Sequence, residues 1–231
     1  MMFADFFKKC RFYWPDYFGI RSYSQLGEDL LIKAFLGDKW RWDYSGFYVD
    51  IGAHDPLTLS NTKKFYDVGW RGINVDASAS AIAKFKRQRK RDINVNVGIG
   101  QEKGELSYYR LSESPMNTFS KDFADQMIKQ NGVKLLGIDK VLVMPLSELL
   151  DNYLPIGQHI DFINIDCEGL DIEILKSNNW DVYRPDFILI EIHADGKNWN
   201  IPNTPTALFL RSVGYEHVGQ GLVTSLFQKM A

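Results

Sequence analysis

The chain has 231 residues and a mass of 26.6 kDa, which is the size of a single α/β domain. Hydrophobic residues make up 45% and charged residues 24% of it, a composition that excludes collagen, coiled coil and extensive disorder. The net charge of −2 and the pI of about 6.1 argue against a nucleic-acid partner, because nucleic-acid-binding domains usually have a pI above about 9. The two cysteines, Cys10 and Cys167, are too few for a disulfide framework or a zinc cluster, and this usage favours a cytoplasmic location.

Residues 1–22 form an aromatic and basic N-terminal segment that is distinct from the rest of the chain. Charged residues interrupt it before the apolar core of a secretory signal can form, and no run in the sequence approaches the roughly 20 apolar residues of a membrane span. Two roles are open for this segment. Residues 1–20 could contact an anionic membrane surface at the inner face of the membrane, or they could pack on the domain or on a second subunit of a homo-oligomer.

Residues 23–231 are predicted to form one domain, because short apolar runs alternate with amphipathic ones, as in a mainly parallel sheet flanked by helices. Strands are predicted at 46–52, 71–76, 93–98, 105–111, 161–166 and 187–193, followed by two antiparallel closing strands at 215–218 and 222–228. Helices are predicted at about 25–36, 60–68, 79–91, 147–152, 170–176 and 204–213.

Three further predictions follow from this pattern of strands and helices. Ser60 is predicted to cap the helix that follows it. The basic run within 79–91, which includes Arg89, is predicted to be a solvated face, with a phosphorylated or lipid-linked glycan as the alternative partner. The strand at 105–111 is predicted at a sheet edge, and the polar stretch 112–140 is predicted to be an insertion or a lid.

Five predicted strands end in polar or charged groups. In open α/β sheets, ligands bind beyond the carboxyl ends of the strands. The residues at these ends are Asp50 to His54, Asp76, Asn96, Asp166 with Glu168, and Glu191 with His193. A shared ligand site at this edge of the sheet explains them better than five unrelated solvated loops.

The loop after the first strand argues against a dinucleotide. Gly52 is followed by Ala53 and His54, so the second and third glycines of a G-x-G-x-x-G motif are missing. The carboxylate of Asp50 would also repel a pyrophosphate. Asp76 lies 26 residues after Asp50, a distance that suits a carboxylate bonded to ribose hydroxyls. The pattern favours S-adenosylmethionine, which has a positive centre and no phosphate, over NAD.

The chain resembles the class I S-adenosylmethionine-dependent methyltransferases and, among them, the FkbM family. The resemblance covers about residues 22–228, and its motifs are SQLGED at 24–29, YVDIGA at 48–53, SNT at 60–62, GWRGI at 69–73 and DFINIDCEG at 161–169. It implies an α/β, Rossmann-like sandwich: a mainly parallel seven-stranded sheet with an antiparallel last strand and helices on both faces.

The resemblance also implies roles for individual residues. Asp50 and Gly52 would shape the loop around the methionine part of the cofactor, Asp76 would hold the ribose, and Asn96 and Val97 would flank the adenine.

Other positions of the same motifs complete the expected cofactor site. The further candidates for cofactor contact are Gln25, Ala53, His54, Ala77 and Asp166. His54 stands where relatives more often have Asn.

The expected reaction is an in-line displacement, to which the positioning of the reactants contributes strongly. An oxygen acceptor must also lose a proton, and His193, Asp166 and Glu168 are the candidates to take it. As an open alternative, Asp166, Glu168, Glu191 and His193 could hold Mg²⁺ or Mn²⁺, which would lower the pKa of the attacking hydroxyl.

Glu28, Asn61 and Glu191 are candidates to bind the acceptor, whereas Asp29 is explained as a first-turn acid that stabilises the helix dipole. The expected function is O-methylation of a hydroxyl. The acceptor is a small molecule or glycan, and the family implies a sugar of a polysaccharide, a lipopolysaccharide or a glycosylated natural product. N-methylation and a non-catalytic cofactor-binding or interaction module remain the alternatives.

Overall fold

The computed structural model describes residues 21–192 and 201–230, so residues 1–20 and His193 lie outside the described residues. The helices are α1 Glu28–Phe35, α2 Lys63–Val68, α3 Ala79–Gln88, α4 Lys121–Asn131, α5 Leu146–Tyr153, α6 Asp171–Lys176 and α7 Pro205–Ser212. The strands are β1 Phe47–Ile51, β2 Arg71–Asp76, β3 Ile93–Asn96, β4 Gly98–Ile99, β5 Gly104–Leu111, β6 Leu135–Met144, β7 Phe162–Ile165, β8 Phe187–Glu191, β9 Tyr215–Gln220 and β10 Thr224–Lys229. Every described helix is too short or too polar to cross a membrane.

The main sheet has seven strands in the order β3-β2-β1-β7-β8-β10-β9. Strands β1, β2, β3, β7 and β8 pair in parallel, and β10 runs antiparallel to both of its neighbours. The predicted mainly parallel sheet with a reversed last strand is therefore confirmed. Chain order reverses between β1 and β7, which is where this type of sheet places its ligand site.

Both faces of the sheet are covered by helices, as predicted. On one face, Tyr48, Phe162 and Leu189 pack with Ile32 of α1 and Phe65 of α2. On the other face, the alternate strand residues pack with helices α5, α6 and α7. The members of this second cluster include Val49, Ile51, Ile163, Ile165, Ile188, Leu149, Leu175 and Leu210. Such alternation is expected of strands that are buried on both faces.

A second, three-stranded sheet in the order β4-β6-β5 corrects two sequence predictions. The run 93–98 is not one strand, because its partner β2 ends at Asp76, opposite Asn96. Gly98 then pairs with Val143 of β6 instead. The predicted edge strand at 105–111 belongs to this second sheet, where β5 pairs with β6 in antiparallel fashion.

The stretch 112–140 contains more regular structure than its polar composition indicated. It holds a 3₁₀ turn at Ser114–Met116, helix α4 and the first part of β6. Ala124 of α4 packs on Leu111 at the end of β5. Its role as a lid stays a prediction.

Arg89 and Ser60 correct two further predictions. Arg89 lies one residue past the end of α3, where the backbone leaves the helix, and its side chain is 1% exposed. Ser60 does not cap α2, which begins at Lys63; its buried hydroxyl accepts a hydrogen bond from Arg89 Nη2 at 2.9 Å. Arg89 is therefore a buried anchor of the loop after β1 and is not part of a solvated face.

Candidate active site

Two adjoining cavities open at the carboxyl ends of the strands. The first cavity lies between the ends of β1 and β2 and residues 114–119, and it encloses about 790 Å³ with its open mouth included. The second cavity lies beside it and is lined by Leu59, Asn61 and Asn164, among others. Gly52, His54, Pro115, Asp166 and Glu168 line both cavities, so these residues form their junction.

Gly52 closes the tight turn at the end of β1. Its φ of 78° lies in the left-handed region, and a Cβ there would be 1.9 Å from the carbonyl oxygen of Asp166. The turn is held by hydrogen bonds from the amides of Gly52 and Ala53 to the carbonyl of Val75. Only glycine fits this position, which lies where the two cavities meet.

Asp76 lies at the wall of the first cavity and is 9% exposed. Its carboxylate accepts hydrogen bonds from the backbone amides of His54 at 2.8 Å and of Ser78 at 2.7 Å. Burial raises the pKa of Asp76, and these two bonds oppose the shift. Each carboxylate oxygen keeps a further lone pair, which suits it to accept from ribose hydroxyls.

Most of the other predicted cofactor residues line one of the two cavities. Ala77 and Val97 line the first cavity, whereas Gln25 and Ala53 line the second. Asn96 is exposed, and its amide donates to the carbonyl oxygens of residues 76 and 77, so it holds the turn after β2.

Three carboxyl groups meet beside the junction. Oxygens of Asp166, Glu168 and Glu191 lie within 4.8 Å of one another. Burial, followed by repulsion from the neighbouring carboxylates, raises the pKa of Glu168 to about 8 and that of Glu191 to about 8. Burial and the charge of Glu191 also raise the pKa of Asp166, and Asp166 shares a hydrogen bond with Glu191, which we assign with the proton on Asp166.

The carboxyl cluster also has the donor type of a divalent-cation site. Carboxylate oxygens suit Mg²⁺ and Mn²⁺, and three of them supply half of an octahedral set. His193, the fourth predicted ligand, lies outside the described residues. Cation binding therefore stays a prediction.

Backbone strain concentrates around the second cavity. Among the described residues, the non-glycine residues with positive φ are His54, Leu59 and Glu168, and all three line this cavity. Such conformations cost about 1–3 kcal/mol each and persist where the surroundings hold them, most often at functional sites. This distribution supports a functional role for the second cavity.

Glu28 and Asp29, which precede β1 in the sequence, act mainly on their own segment. Glu28 is buried, and its carboxylate accepts from the amide of Leu26 at 2.8 Å. Asp29 accepts from Ser22 Oγ and from the amide of Tyr23. The helix-dipole explanation of Asp29 is thus incomplete, because its carboxylate anchors the segment before α1. The acceptor-binding role of Glu28 stays a prediction.

Sequence reasoning missed two residues of the site. Asn164 is a buried polar residue inside strand β7, and this unusual position was a signal that could have revealed it. Thr118 lies in the polar stretch 112–140 and is buried, and its hydroxyl donates to the carbonyl of Glu168 at 2.9 Å. Nothing in the local pattern around Thr118 indicated this contact.

No curated protein matches the sequence. A Burkholderia thailandensis 1,6-didemethyltoxoflavin-N1-methyltransferase, solved with 1,6-didemethyltoxoflavin and S-adenosylhomocysteine, is 14% identical with a TM-score of 0.45, over 100% of this chain and 88% of that one. A precorrin 8W decarboxylase from Methanobacterium thermoautotrophicum is 12% identical with a TM-score of 0.41, over 92% of this chain and 94% of that one.

The family model described as the methyltransferase FkbM domain matches residues 50–217, which is most of the chain. The match extends from the end of β1 to β9 and includes the junction residues Gly52, Asp166 and Glu168. The chain belongs to the FkbM methyltransferase family.

Proposed function

We propose that the protein transfers a methyl group from S-adenosylmethionine to a hydroxyl of a sugar in a polysaccharide, a lipopolysaccharide or a glycosylated natural product. The observation that carries the proposal is the meeting of two cavities beside a carboxyl cluster with raised pKa values. In this arrangement the first cavity takes the cofactor, the second takes the acceptor, and Glu168 lies between them.

The first cavity fits an adenosine-bearing cofactor. Val97, Ile99 and Leu170 provide an apolar wall for the adenine, and Asp76 offers lone pairs to the ribose. The absence of a side chain at Gly52 lets the carbonyl of Asp166 approach the turn that lines both cavities, and we place the methionine part at this junction. When bound, S-adenosylmethionine supplies an electrophilic methyl group, and the carboxyl cluster suits the positive charge next to it.

Glu168 is our candidate for the general base. It lines both cavities, and its pKa of about 8 is close to working pH, where proton transfer by a carboxylate is most effective. The deprotonated carboxylate of Glu168 would take the proton of the acceptor hydroxyl while the hydroxyl oxygen bonds to the methyl carbon, whose bond to the cofactor sulfur breaks to leave S-adenosylhomocysteine. The neighbouring carboxyl groups help to keep the pKa of Glu168 raised, and His193 remains the alternative base.

The cation alternative makes a different use of the same residues. The metal alternative places Mg²⁺ or Mn²⁺ on Asp166, Glu168, Glu191 and His193. The metal would then lower the pKa of the acceptor hydroxyl, and this would replace the action of a general base. Turnover would then be lost in EDTA and restored by either ion. Turnover that is unchanged in EDTA assigns the proton transfer to the protein.

The first experiment is a calorimetric and thermal-shift titration with S-adenosylhomocysteine, with NAD⁺ as the control ligand. At about 100 times Kd a specific ligand stabilises by roughly 2.7 kcal/mol, equivalent to a rise in Tm of about 5–11 °C for a domain of this size. Binding of S-adenosylhomocysteine without binding of NAD⁺ supports the proposal. A folded protein that binds neither ligand contradicts it and favours the interaction module.

The acceptor class is tested by methyl transfer from isotopically labelled S-adenosylmethionine to methyl pyranosides and to small primary amines. Product analysis separates O-methylation from N-methylation. Transfer to the amines alone would replace the hydroxyl acceptor with a nitrogen acceptor and leave the cofactor assignment in place.

A further inference from the structure

Three polar side chains form a row across the centre of the main sheet. Asn74 of β2, Asp50 of β1 and Asn164 of β7 lie at the same level of neighbouring strands. They are 0%, 2% and 3% exposed, respectively. Most buried polar side chains are hydrogen-bonded, so their partners show what each one holds.

Asp50 receives two hydrogen bonds from side chains. Thr62 Oγ1 lies 2.6 Å from Asp50 Oδ2, and Asn164 Nδ2 lies 2.8 Å from Asp50 Oδ1. Arg89 Nη1 donates to the Thr62 hydroxyl at 3.3 Å, which leaves the proton of that hydroxyl for Asp50. Because the carboxylate accepts, Asn164 must present its NH₂ group to Asp50.

The orientation of Asn164 determines that of Asn61. With its NH₂ group turned to Asp50, Asn164 presents its carbonyl oxygen to Asn61, and this oxygen accepts from Asn61 Nδ2 at 3.0 Å. Asn61 lines the second cavity. Its NH₂ group is turned toward Asn164, so its carbonyl oxygen is left for the cavity.

We infer that Asn164 is a positioning residue that fixes the Asn61 amide, and that Asn61 Oδ1 accepts a hydrogen bond from an acceptor hydroxyl other than the one that is methylated. This inference rests on the proposed function. An amide oxygen is too weak a base to take the proton of the reacting hydroxyl, which goes to the carboxyl cluster. The acceptor class is therefore a polyol with a second hydroxyl within reach of Asn61.

Asn74 provides a matched control for Asn164. It lies in the same row and is equally buried, but its NH₂ group donates to Asp92 at 3.0 Å and to Asn94 Oδ1 at 2.9 Å, on the side away from the second cavity. Asn164→Ala and Asn74→Ala therefore remove comparable buried hydrogen bonds. Asn61→Ala removes the hydrogen bond to Asn164 from a partly buried position. It therefore tests the role of Asn61 even if Asn164→Ala fails to fold.

The first measurement is hydrogen exchange of the Asn61 side-chain amide, followed by NMR on ¹⁵N-labelled protein saturated with S-adenosylhomocysteine. In the wild type this amide should exchange at least roughly tenfold more slowly than free asparagine, because it is hydrogen-bonded. Asn164→Ala should remove the protection, and Asn74→Ala should leave it. Unprotected exchange in the wild type, or equal effects of the two variants, overturns the positioning role.

The second measurement is methyl transfer to a panel of methyl pyranosides and their monodeoxy analogues. Asn61→Ala should raise KM for a reactive glycoside by roughly tenfold with kcat changed much less, and should leave S-adenosylhomocysteine affinity unchanged. The variant should also accept the deoxy analogue that lacks the neighbouring hydroxyl about as well as the parent glycoside.

An unchanged KM for a glycoside that does react overturns the role of Asn61 while the methyltransferase stands. Transfer to none of the glycosides contradicts the sugar acceptor of the proposed function, and the amide exchange rates then still decide whether Asn164 positions Asn61.

Discussion

Gly52 approaches Asp166 so closely that a Cβ on Gly52 would lie 1.9 Å from the carbonyl oxygen of Asp166. The two strand ends are tied in this position, because the amide of Asp166 donates to the carbonyl of Ile51 at 3.1 Å. We expect Gly52→Ala to force β1 and β7 apart, to lower Tm and to abolish binding of S-adenosylhomocysteine. Thermal unfolding and calorimetry measure the two effects.

Gly157→Ala separates the clash at Gly52 from the cost of positive φ. Gly157 has a φ of 72°, and an added Cβ there would have nothing within 4 Å. This variant should lose only the roughly 1–2 kcal/mol of a left-handed alanine and keep full ligand affinity. If the two variants bind S-adenosylhomocysteine equally well, the turn at Gly52 is not part of the cofactor site.

Asp76→Asn should weaken S-adenosylhomocysteine binding by roughly tenfold or more. Both carboxylate oxygens of Asp76 accept from backbone amides, and an Asn side chain would turn its NH₂ group on one of these donors. The ribose would lose a charged acceptor as well, and hydrogen bonds to charged groups contribute about 1.5–3 kcal/mol. Calorimetry at constant pH measures the change.

Asp55→Asn is the control for Asp76. Asp55 also accepts from two backbone amides, those of Leu57 and Thr58, in the loop after β1. It does not line either cavity, so its variant should bind S-adenosylhomocysteine as the wild type does. Equal losses in both variants would assign the effect to disturbance of the loop.

The main sheet could be predicted from the sequence because its strands carry their own local signal. Runs such as Phe47–Ile51 are short, β-branched or aromatic, and bounded by glycine, and residues at their carboxyl ends necessarily share one edge. The predicted site residues Asp76, Asp166 and Glu168 all lie on the cavities for this reason.

Contacts between distant segments could not be predicted in this way. Arg89 looks like one more cation in a basic helix, and its burial depends on acceptors near residues 48, 56 and 60. The change of partner at Gly98 depends on Val143, which is far along the chain. Periodicity reports which face of an element is apolar and carries no information about which segment will cover it.

The raised pKa of Glu168 makes a prediction for stability that needs no acceptor. Its pKa is about 8 in the folded protein and 4.5 ordinarily, because burial and neighbouring carboxylates disfavour its charge. Between these pH values the folded state holds a proton that the unfolded state has lost, so Glu168 makes the protein less stable as pH rises. We expect Glu168→Gln to gain stability over the wild type between pH 4.5 and 8, with no further gain above pH 8.

Urea unfolding of both proteins across this pH range measures the difference. A difference that is independent of pH would show that Glu168 titrates normally and would remove it as the base. With a reactive acceptor, kcat/KM of the wild type should rise with pH and level off above about pH 8, and Glu168→Gln should lose this dependence.

The buried guanidinium of Arg89 holds the loop on the acceptor side of the site. All of its N–H donors are used: Nε and Nη2 donate to the carbonyl of Pro56, Nη2 to Ser60, and Nη1 to Tyr48 and Thr62. Lysine keeps the charge but cannot span these acceptors from one ammonium group. We expect Arg89→Lys to destabilise the protein by about 3–5 kcal/mol, the range for breaking a buried charged network.

The backbone amides of the loop over residues 56–62 should then exchange with solvent faster in Arg89→Lys, which hydrogen-exchange mass spectrometry measures. Arg87→Lys is the matched control, because Arg87 is exposed on the same basic run and should leave both stability and exchange unchanged. Loss of stability in Arg89→Lys with unchanged exchange over 56–62 would mean that Arg89 supports the core without holding the loop. Since Asn61 and Thr62 lie in this loop, faster exchange there would connect the anchor at the end of α3 to the acceptor cavity.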